Sequence, residues 1–390
     1  MHWNGKMSLV NKQLEKKIIY FTGTRADFGL MQSTLLNLHS SEDISLGIAV
    51  TGMHLSTKYG DTVKEIEASG LEIVARIPVE LEPETAKTMA LAMSTMIMEF
   101  SNILEFEKPD LIMVLGDRGE MLAASLASLH LGIPTIHIHG GERSGTIDES
   151  IRHAISKLSH IHFVSTDESK KRLCSLGELP QHIYITGAPG LDGIEKLAIY
   201  NRQELVKRFG LTDSSKICLL VFHPVVQESA LARQQIKTIL QALLQILNLQ
   251  IIAIMPNSDA GSESIRQEMS LNNCPQLQVF SNLSRSTFVS FMKVAEVMVG
   301  NSSAGIIEAA SFDTPVVNIG SRQNLRQRNS NVSDVDFDCD AIFTSIQSAL
   351  SNGKLPCHNI YGDGSAGINM LNIIKTLDLD KSILNKVLTY

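Results

Sequence analysis

Two carboxylates follow apolar runs that are rich in Val and Ile. Asp117 comes shortly after Leu111–Leu115, Glu142 comes shortly after residues 135–139, and a glycine precedes each of them. A carboxylate can take up or release a proton in catalysis when its surroundings adjust its pKa. Asp117 and Glu142 are therefore candidates for general acid–base chemistry.

A third acidic residue, Asp148, lies in the segment 145–152 (GTIDESIR), a pattern typical of a helix start. Acidic side chains are favoured there because they face the positive end of the helix dipole. Asp148 can also pair with Arg152 one turn later. From spacing alone, a structural role for Asp148 is the stronger interpretation.

Two segments combine small or hydroxyl residues with a helix start, as phosphate sites do. Residues 22–27 (TGTRAD) bring Arg25 to such a position, although a plain turn with a surface arginine explains them equally well. Residues 300–308 (GNSSAGIIE) offer hydroxyl groups and a later acid, Glu308, that could accept hydrogen bonds from a ribose. Neither segment is the GxGxxG pattern of dinucleotide-binding proteins.

Histidines supply the remaining candidates. His223 follows the apolar run 217–222 and is a candidate phosphate contact or leaving-group acid, although a single histidine there is often structural. His137 and His139 form an HxH pair that a metal site could use. A metal site needs further ligands, and the plausible one, His223, lies in the other half of the chain. We therefore expect no metal.

The elements that must position these residues repeat along the whole chain of 390 residues. Apolar runs alternate with amphipathic stretches, which is typical of βα units around a parallel sheet. Two successive series predict two Rossmann-like domains that face each other across a cleft, with ligands beyond the carboxyl ends of the strands. The predicted strands are 18–21, 47–51, 73–77, 111–115, 135–139, 161–164 and 183–186, then 217–222, 251–255, 277–280, 297–299 and 316–319.

Composition excludes several classes of protein. The 34 Lys and Arg against 41 Asp and Glu leave a net charge of −7, which argues against a nucleic-acid partner. The five cysteines are scattered without a CxxC pair, which favours a reducing compartment. The first 17 residues lack the apolar core of a signal peptide, and no run is long enough to span a bilayer. We expect a cytoplasmic protein with no membrane partner.

Taken together, the sequence motifs of this chain resemble those of the hydrolysing UDP-N-acetylglucosamine 2-epimerases of sialic-acid-type pathways. The matching segments keep the order of that family and span most of the chain: TGTRADFGL (22–30), VTGMHLSTKYG (50–60), LGDRGE (115–120), HIHGGERSGTIDESIRHAISKLS (137–159), FHPV (222–225), GNSSAGIIEA (300–309) and IGSRQNLRQR (319–328).

The resemblance implies an α/β, GT-B-like fold of two Rossmann-type, doubly wound parallel-sheet domains around a central cleft. Residues 1–189 would form the sugar side, residues 190–365 the UDP side, and residues 366–390 a final helix that packs back on the first domain. It also implies a UDP-sugar substrate, no cofactor, and a homo-oligomer, either a dimer or a tetramer.

The resemblance also implies the site. Asp117, Glu142, Asp148 and His223 would be catalytic, which reverses the structural interpretation of Asp148. The contacts to UDP and substrate would come from Arg25, His54, Ser302, Ser303, Gly305, Glu308 and Arg322.

The implied reaction converts UDP-N-acetylglucosamine into N-acetylmannosamine and UDP, by anti elimination to a 2-acetamidoglycal and rehydration. Leu30 stands where related non-hydrolysing epimerases carry a lysine, which favours the hydrolysing branch. Gly119 stands where many sialic-acid enzymes have an aromatic residue. This leaves open the same reaction on UDP-N,N'-diacetylbacillosamine (the UDP-2,4-diacetamido-2,4,6-trideoxy sugar), as in legionaminic-acid synthesis. A GT-B glycosyltransferase, a nucleotide-sugar sensor and a metal hydrolase remain as alternatives.

Overall fold

The computed structural model describes residues 15–144, 147–272, 274–387 and 389. Within them the chain forms two sheets, and every strand pairing in both sheets is parallel. None of the helices in this part of the chain has both the length and the apolarity needed to cross a bilayer.

The first sheet is built from the amino-terminal half of the chain. Its strands are β1 (Lys16–Thr22), β2 (Ile44–Thr51), β3 (Glu72–Ile77), β4 (Leu111–Leu115), β5 (Thr135–Ile138), β6 (Ile161–Val164) and β7 (Ile183–Ile185). The helices of this half are α1 (Arg25–His39), α2 (Val63–Ala68), α3 (Ala86–Glu107), α4 (Gly119–His130), α5 (Ile147–Leu158) and α6 (Asp167–Ser175). The strand order is β3-β2-β1-β4-β5-β6-β7.

The second sheet has the order β10-β9-β8-β11-β12-β13. Its strands are β8 (Lys216–Val221), β9 (Leu249–Ile254), β10 (Leu277–Phe280), β11 (Val297–Gly300), β12 (Val316–Ile319) and β13 (Val332–Val335). The helices of this half are α7 (Ile194–Leu197), α8 (Arg202–Phe209), α9 (Ala232–Leu244), α10 (Ser262–Leu271), α11 (Arg285–Val294), α12 (Ser303–Ile307), α13 (Cys339–Asn352) and α14 (Ala366–Thr376).

Both faces of the first sheet are buried. Alternate residues of β1 enter different cores, with Ile18 and Tyr20 on one side and Ile19 and Phe21 on the other. Side chains alternate between the two faces of a strand, so a strand covered on both faces is apolar throughout. This explains why the central strands read as continuous apolar runs in the sequence.

The order of the strands fixes where a ligand can bind. Strand order reverses between β1 and β4 in the first sheet and between β8 and β11 in the second. Loops that leave neighbouring strands at such a switch point run in opposite directions and open a crevice. The polar segments 22–27, 116–118, 223–224 and 300–303 follow these four strands, so the sequence places its chemically capable residues at both switch points.

Helix α14 packs against the first sheet's helix α1. Ala366, Met370 and Ile374 of α14 share one buried core with Leu35 and Leu38 of α1. The start of α14 is held by the Asp192 carboxylate, which accepts a hydrogen bond from the Ala366 N–H at 2.9 Å.

All twelve predicted strands occur, with ends that shift by three residues at most. The predicted doubly wound parallel architecture is confirmed. The sequence analysis missed β13, because this four-residue edge strand is partly exposed and does not read as an apolar run.

Candidate active site

A cavity of about 330 Å³ lies between the carboxyl ends of the two sheets. It is lined by residues that follow β1, β4, β8 and β11, so both halves of the chain contribute. Among the described residues that line it, arginine predominates over acidic side chains, and such a concentration of positive charge suits an anionic ligand. The lining arginines are Arg25, Arg118, Arg152, Arg285, Arg322 and Arg326.

Arg25 lies at the start of α1, and one of its guanidinium nitrogens has no hydrogen-bond partner among the described residues. A capping box fixes this helix start, because Thr24 Oγ1 accepts from the Asp27 N–H and the Asp27 carboxylate accepts from the Thr24 N–H. The Nε of Arg25 donates to Glu65 at 3.0 Å. Its Nη2 is buried and has no hydrogen-bond partner within the described residues. A buried guanidinium donor without a partner is costly, so Arg25 is suited to receive an anion.

The segment after β11 is shaped by Gly300 and Asn301. Gly300 has a φ of 130°, and a Cβ atom there would lie 2.0 Å from the Val221 carbonyl oxygen, so only glycine fits. The Asn301 side chain then bridges to the other switch-point strand, accepting from the His223 N–H and donating to the His223 carbonyl, both at 2.8 Å. Ser302 and Ser303 follow and line the cavity.

His223 is uncharged. Burial, together with the positive charges of Arg322 and Arg118, lowers its pKa to about 3. Its Nδ1 accepts from the Asn257 N–H at 3.4 Å, which places the ring proton on Nε2. His223 is therefore a neutral hydrogen-bond donor rather than the leaving-group acid that the sequence suggested.

Glu308 lines the cavity and forms an ion pair with Arg285 Nη2 at 2.5 Å. Arg285 Nη2 also donates to the Gly190 carbonyl at 3.0 Å, which ties the start of α11 to the connection between the two sheets. The carboxyl-terminal half also contributes apolar side chains to the lining, among them Ile254, Met255, Leu283, Phe288 and Ile307.

Asp117 and Asp148 form an unequal pair. Burial alone would raise the pKa of Asp117, but the guanidinium groups of Arg152, Arg326 and Arg322 hold it below its ordinary value. The pKa of Asp148 is raised to about 6, first by burial and then by the negative charge of Asp117. Near neutral pH the site therefore holds an ionised carboxylate beside a readily protonated one, which is the arrangement expected for acid–base chemistry.

Asp148 is not part of the cavity lining, but Nη2 of the lining residue Arg322 lies 3.9 Å from its carboxylate. Arg322 comes from the carboxyl-terminal half and Asp148 from the amino-terminal half, so this contact crosses the cleft. The structure thus brings Asp148 close to two lining residues, Asp117 and Arg322.

Glu142 does not line the cavity. Its side chain is only 3% exposed and is held between Arg326 Nη1 at 2.7 Å and Arg152 Nη1 at 3.3 Å. Its other oxygen accepts from His139 Nδ1 at 2.6 Å. Burial opposes ionisation, but Arg326 and His139 lower the pKa of Glu142 well below its usual range. Glu142 is therefore a fixed anion behind His139, which places it away from the direct substrate contact predicted for it.

Two predicted ligand contacts lie outside the cavity lining. His54 is fully buried, and its ring nitrogens lie within hydrogen-bond distance of Thr22 Oγ1 (3.0 Å) and Thr62 Oγ1 (2.8 Å). Gly305 instead serves packing, because a Cβ atom there would lie 3.0 Å from Val316 Cγ1. It allows α12 to lie close to β12.

Gly119 also lies outside the lining. A Cβ atom at Gly119 would be 3.0 Å from the sulfur of Met93, so the Met93 side chain of α3 occupies the room that the missing side chain leaves. The inference that Gly119 opens space beside the sugar is therefore not supported by the structure. Leu30, by contrast, does line the cavity.

The HxH pair is divided between two environments. His137 is buried, with Nδ1 3.0 Å from Ser156 Oγ and Nε2 2.7 Å from the Gly116 carbonyl oxygen. Burial lowers the pKa of His137 to about 3. His139 turns instead to Glu142 and the cavity. With both nitrogens of His137 engaged, the pair does not present two ligands to one metal ion.

Several cavity residues were not found from the sequence. Arg118 and Arg285 follow strand ends and could have been selected by the rule applied to Arg25. His139 was considered only as half of a metal pair. The remaining two, Arg152 and Arg326, become visible only when the chain is folded, because they meet Glu142 from 10 and 184 residues away in sequence.

Two Rossmann-type parallel sheets with a charged cavity between their carboxyl ends define an enzyme of GT-B-like architecture. The chain belongs to the UDP-N-acetylglucosamine 2-epimerase family, whose model matches residues 36–375. The family resemblance drawn from the motifs is thereby confirmed. The chain is a nucleotide-sugar 2-epimerase, and nothing in these comparisons favours a glycosyltransferase.

The chain is similar to two relatives over almost its full length. It is 49% identical to the hydrolysing UDP-N,N'-diacetylbacillosamine 2-epimerase of Legionella pneumophila over 96% of this chain and 100% of that protein. It is 35% identical to a UDP-N-acetylglucosamine 2-epimerase of Neisseria meningitidis serogroup B, over 90% and 91% respectively.

Among solved structures, the UDP-GlcNAc 2-epimerase from Neisseria meningitidis bound to UDP-GlcNAc superposes with a TM-score of 0.77. The superposition covers 92% of this chain and 99% of that one, at 20% sequence identity. This likeness confirms the GT-B-like fold.

Proposed function

We propose that the enzyme hydrolyses a UDP-linked 2-acetamido sugar with inversion at C2, releasing UDP and the free 2-epimer. The observation that carries the proposal is the unequal pair of Asp117, which lines the cavity, and Asp148 near it, in a cleft that also holds the unpaired donor of Arg25. The pair supplies a proton donor where a sugar would lie, and the arginine supplies a cation where a diphosphate would lie.

UDP would bind mainly to the carboxyl-terminal half. The apolar residues that this half contributes to the cavity would pack against the uracil, and Glu308 would accept hydrogen bonds from the ribose hydroxyls. Ser302, Ser303 and the Nε2–H of His223 would contact the diphosphate, with Arg25 reaching it from the other half. Each of these groups lines the cavity, which supports the arrangement.

The stereochemistry of the substrate determines what the protein must provide. In an α-linked gluco sugar, C1–O and C2–H are trans and both axial, so a base on one face removes the C2 proton as UDP leaves from the other. The C–H electron pair forms the C1=C2 bond of a 2-acetamidoglycal, and the C1–O pair leaves with the phosphate. Inversion then requires a proton donor on the opposite face and water at C1.

The charges of the site fit these two steps. Asp148, with its raised pKa, can give a proton to C2 during hydration, and water replaces that proton as its oxygen bonds to C1. The ionised Asp117 helps to keep Asp148 protonated. The arginines of the cavity and His223 can stabilise the negative charge that develops on the departing diphosphate. This scheme needs neither a metal nor a redox cofactor.

For the sugar, we propose UDP-N,N'-diacetylbacillosamine first and UDP-N-acetylglucosamine second. The sequence analysis gave the opposite order. The relative that acts on the diacetylated sugar is 49% identical over its whole length, against 35% for the relative named for UDP-N-acetylglucosamine. This difference favours the diacetylated sugar.

Proton NMR of the products tests both the reaction and the sugar. Purified enzyme is incubated with each UDP-sugar separately and without any acceptor. We expect UDP and a free manno-configured sugar, formed faster from the diacetylated substrate. Release of UDP only after an acceptor is added would instead identify a glycosyltransferase.

We further propose a cytoplasmic enzyme of sialic- or legionaminic-acid synthesis for surface polysaccharides, working as a homo-oligomer. The domains would span residues 1–189 and 190–365, with 366–390 packed back on the first. The free cysteines support a reducing compartment. Exposed apolar side chains on α3, Leu91, Met98 and Phe106, support self-association, which light scattering would measure.

A further inference from the structure

His139 has the geometry of a proton-transfer group that the sequence did not assign. We propose that His139, oriented by Glu142, is the base that removes the C2 proton in the elimination step. This inference rests on the proposed function, since it assigns a residue to one step of that reaction. It is carried by three features of the described residues: the backbone of His139, the partner of its Nδ1, and its place in the cavity wall.

The backbone of His139 is strained. It follows the last residue of β5 with a φ of 64°, in the left-handed region that residues other than glycine uncommonly adopt, histidine, asparagine and aspartate more often than the rest. Two contacts hold it there: its N–H donates to the Phe163 carbonyl at 3.0 Å, and its own carbonyl accepts from Arg152 Nη1 at 3.0 Å. Such strain concentrates at functional sites. Here it turns the side chain from the strand toward the cleft.

The ring of His139 is fixed through its inner nitrogen. Glu142 lies 2.6 Å from Nδ1, and Ser165 Oγ lies 3.3 Å from the same atom. Because Glu142 is ionised, it accepts the Nδ1 proton and leaves the lone pair of a neutral ring on Nε2. A carboxylate that sets the tautomer of a histidine in this way also stabilises the imidazolium that forms when the ring takes a proton.

His139 is part of the cavity wall. His139 lines the cavity together with Asp117 and Arg152, whereas Glu142 does not. Within the part of the chain that the structure describes, the hydrogen bonds of this ring are all made by Nδ1. Nε2 is therefore available to a substrate.

The steps balance as follows. Nε2 of His139 takes the proton from C2, the C–H electron pair forms the C1=C2 bond, and the C1–O pair departs with UDP. Asp148 then gives its proton to the opposite face of C2, and water adds its oxygen to C1 and returns a proton to Asp148. The imidazolium of His139 releases its proton to solvent. The net change is the addition of one water molecule.

Substitution by residues that accept a positive φ tests the proposal without disturbing the backbone. In His139→Asn and His139→Gly, we expect turnover of the UDP-sugar to fall by about 10² or more, the usual contribution of a general base, while calorimetry still detects UDP binding. Added imidazole should restore part of the activity of His139→Gly, because it can enter the space that the ring leaves. His130→Asn, an exposed histidine at the end of α4, is the matched control and should keep wild-type turnover.

A second measurement separates elimination from hydration. Each variant is given the 2-acetamidoglycal together with UDP, and we expect hydration to proceed within a few-fold of the wild-type rate. Turnover of the UDP-sugar within threefold of wild type in His139→Asn would overturn the proposal, and so would loss of UDP binding in both variants or equal loss of both steps. If the wild-type enzyme itself released no free sugar, the proposed function would fail instead.

Discussion

At the scale of single residues, burial and neighbouring charge separate three carboxylates that look alike in the sequence. Glu142 is surrounded by His139, Arg152 and Arg326 and stays ionised behind the cavity wall. Asp148 is the one whose pKa lies near the working range of an acid catalyst. Spacing in the sequence could not distinguish the three carboxylates. Each has different arginine neighbours, and these arginines come from distant parts of the chain.

The raised pKa of Asp148 predicts a pH dependence. As the proposed acid, Asp148 must be protonated, so kcat/KM should fall as the pH rises through about 6. Asp148→Asn should lower turnover by about 10² or more and remove this limb of the profile. The measurement is the pH–rate profile of both enzymes.

The same group gives a stability readout. The pKa of Asp148 is higher in the folded state than its ordinary value of 3.8. Protonated Asp148 therefore adds to the free energy of unfolding. This contribution is complete below pH 3.8 and is lost as the pH rises through about 6. Asp148→Asn should flatten the dependence of the melting temperature on pH over this interval. A profile of the variant that matches wild type in both assays would contradict the role of Asp148.

At the scale of elements, the contact between α3 and α4 gives Gly119 a structural role in place of the one that the sequence suggested. Gly119 begins α4, and the Met93 side chain of α3 fills the room beside it. The glycine therefore belongs to helix packing. Neither residue lines the cavity.

This contact predicts the effect of enlarging Gly119. Gly119→Phe should overpack the α3–α4 contact and destabilise the fold by about 1–3 kcal/mol, seen as a lower melting temperature. Met93→Ala introduced with it should recover part of the loss. The ratio of rates on the two UDP-sugars should stay near wild type. A large change in that ratio, with a melting temperature like that of the wild type, would instead indicate that Gly119 lies beside the sugar.

The elements also show how far the sequence predicts the fold. Strands such as β4, buried on both faces, were found with correct ends because a short apolar run between polar segments is typical of a buried strand. Strand β13 was missed because its pairing to β12 along one edge, rather than an apolar pattern, makes it a strand. The left-handed backbone of His139 was also missed, since contacts from Phe163 and Arg152 hold it there.

At the scale of the whole molecule, contacts across the cleft hold the two halves together. Glu84, which precedes α3, pairs with Arg266 of α10 and accepts from the Tyr59 hydroxyl at 2.5 Å. Tyr59 in turn accepts from the Asn282 side chain through its carbonyl at 3.2 Å. Arg118 reaches Asp259 at 3.5 Å nearer the cavity. These contacts bridge the two halves, so that groups from both can act on one substrate.

The Glu84 contact predicts a change in shape. Glu84→Ala leaves the partly buried Arg266 guanidinium without its carboxylate partner in the first half, which is costly, and should favour an open cleft. Small-angle scattering should show a larger radius of gyration for the variant without UDP and compaction when UDP is added. Glu80→Gln, an exposed acid in the same connection, serves as the control. Equal radii for all three proteins would argue against a closure held by Glu84.

The central claim is that one cleft performs anti elimination of UDP followed by hydration of the glycal. Its most direct test is NMR and mass analysis of the products formed in deuterated, ¹⁸O-enriched water. We expect free 2-epimer with deuterium at C2 and ¹⁸O at C1, and UDP without ¹⁸O. Retention of the original C2 hydrogen, or ¹⁸O on the phosphate of UDP, would contradict it.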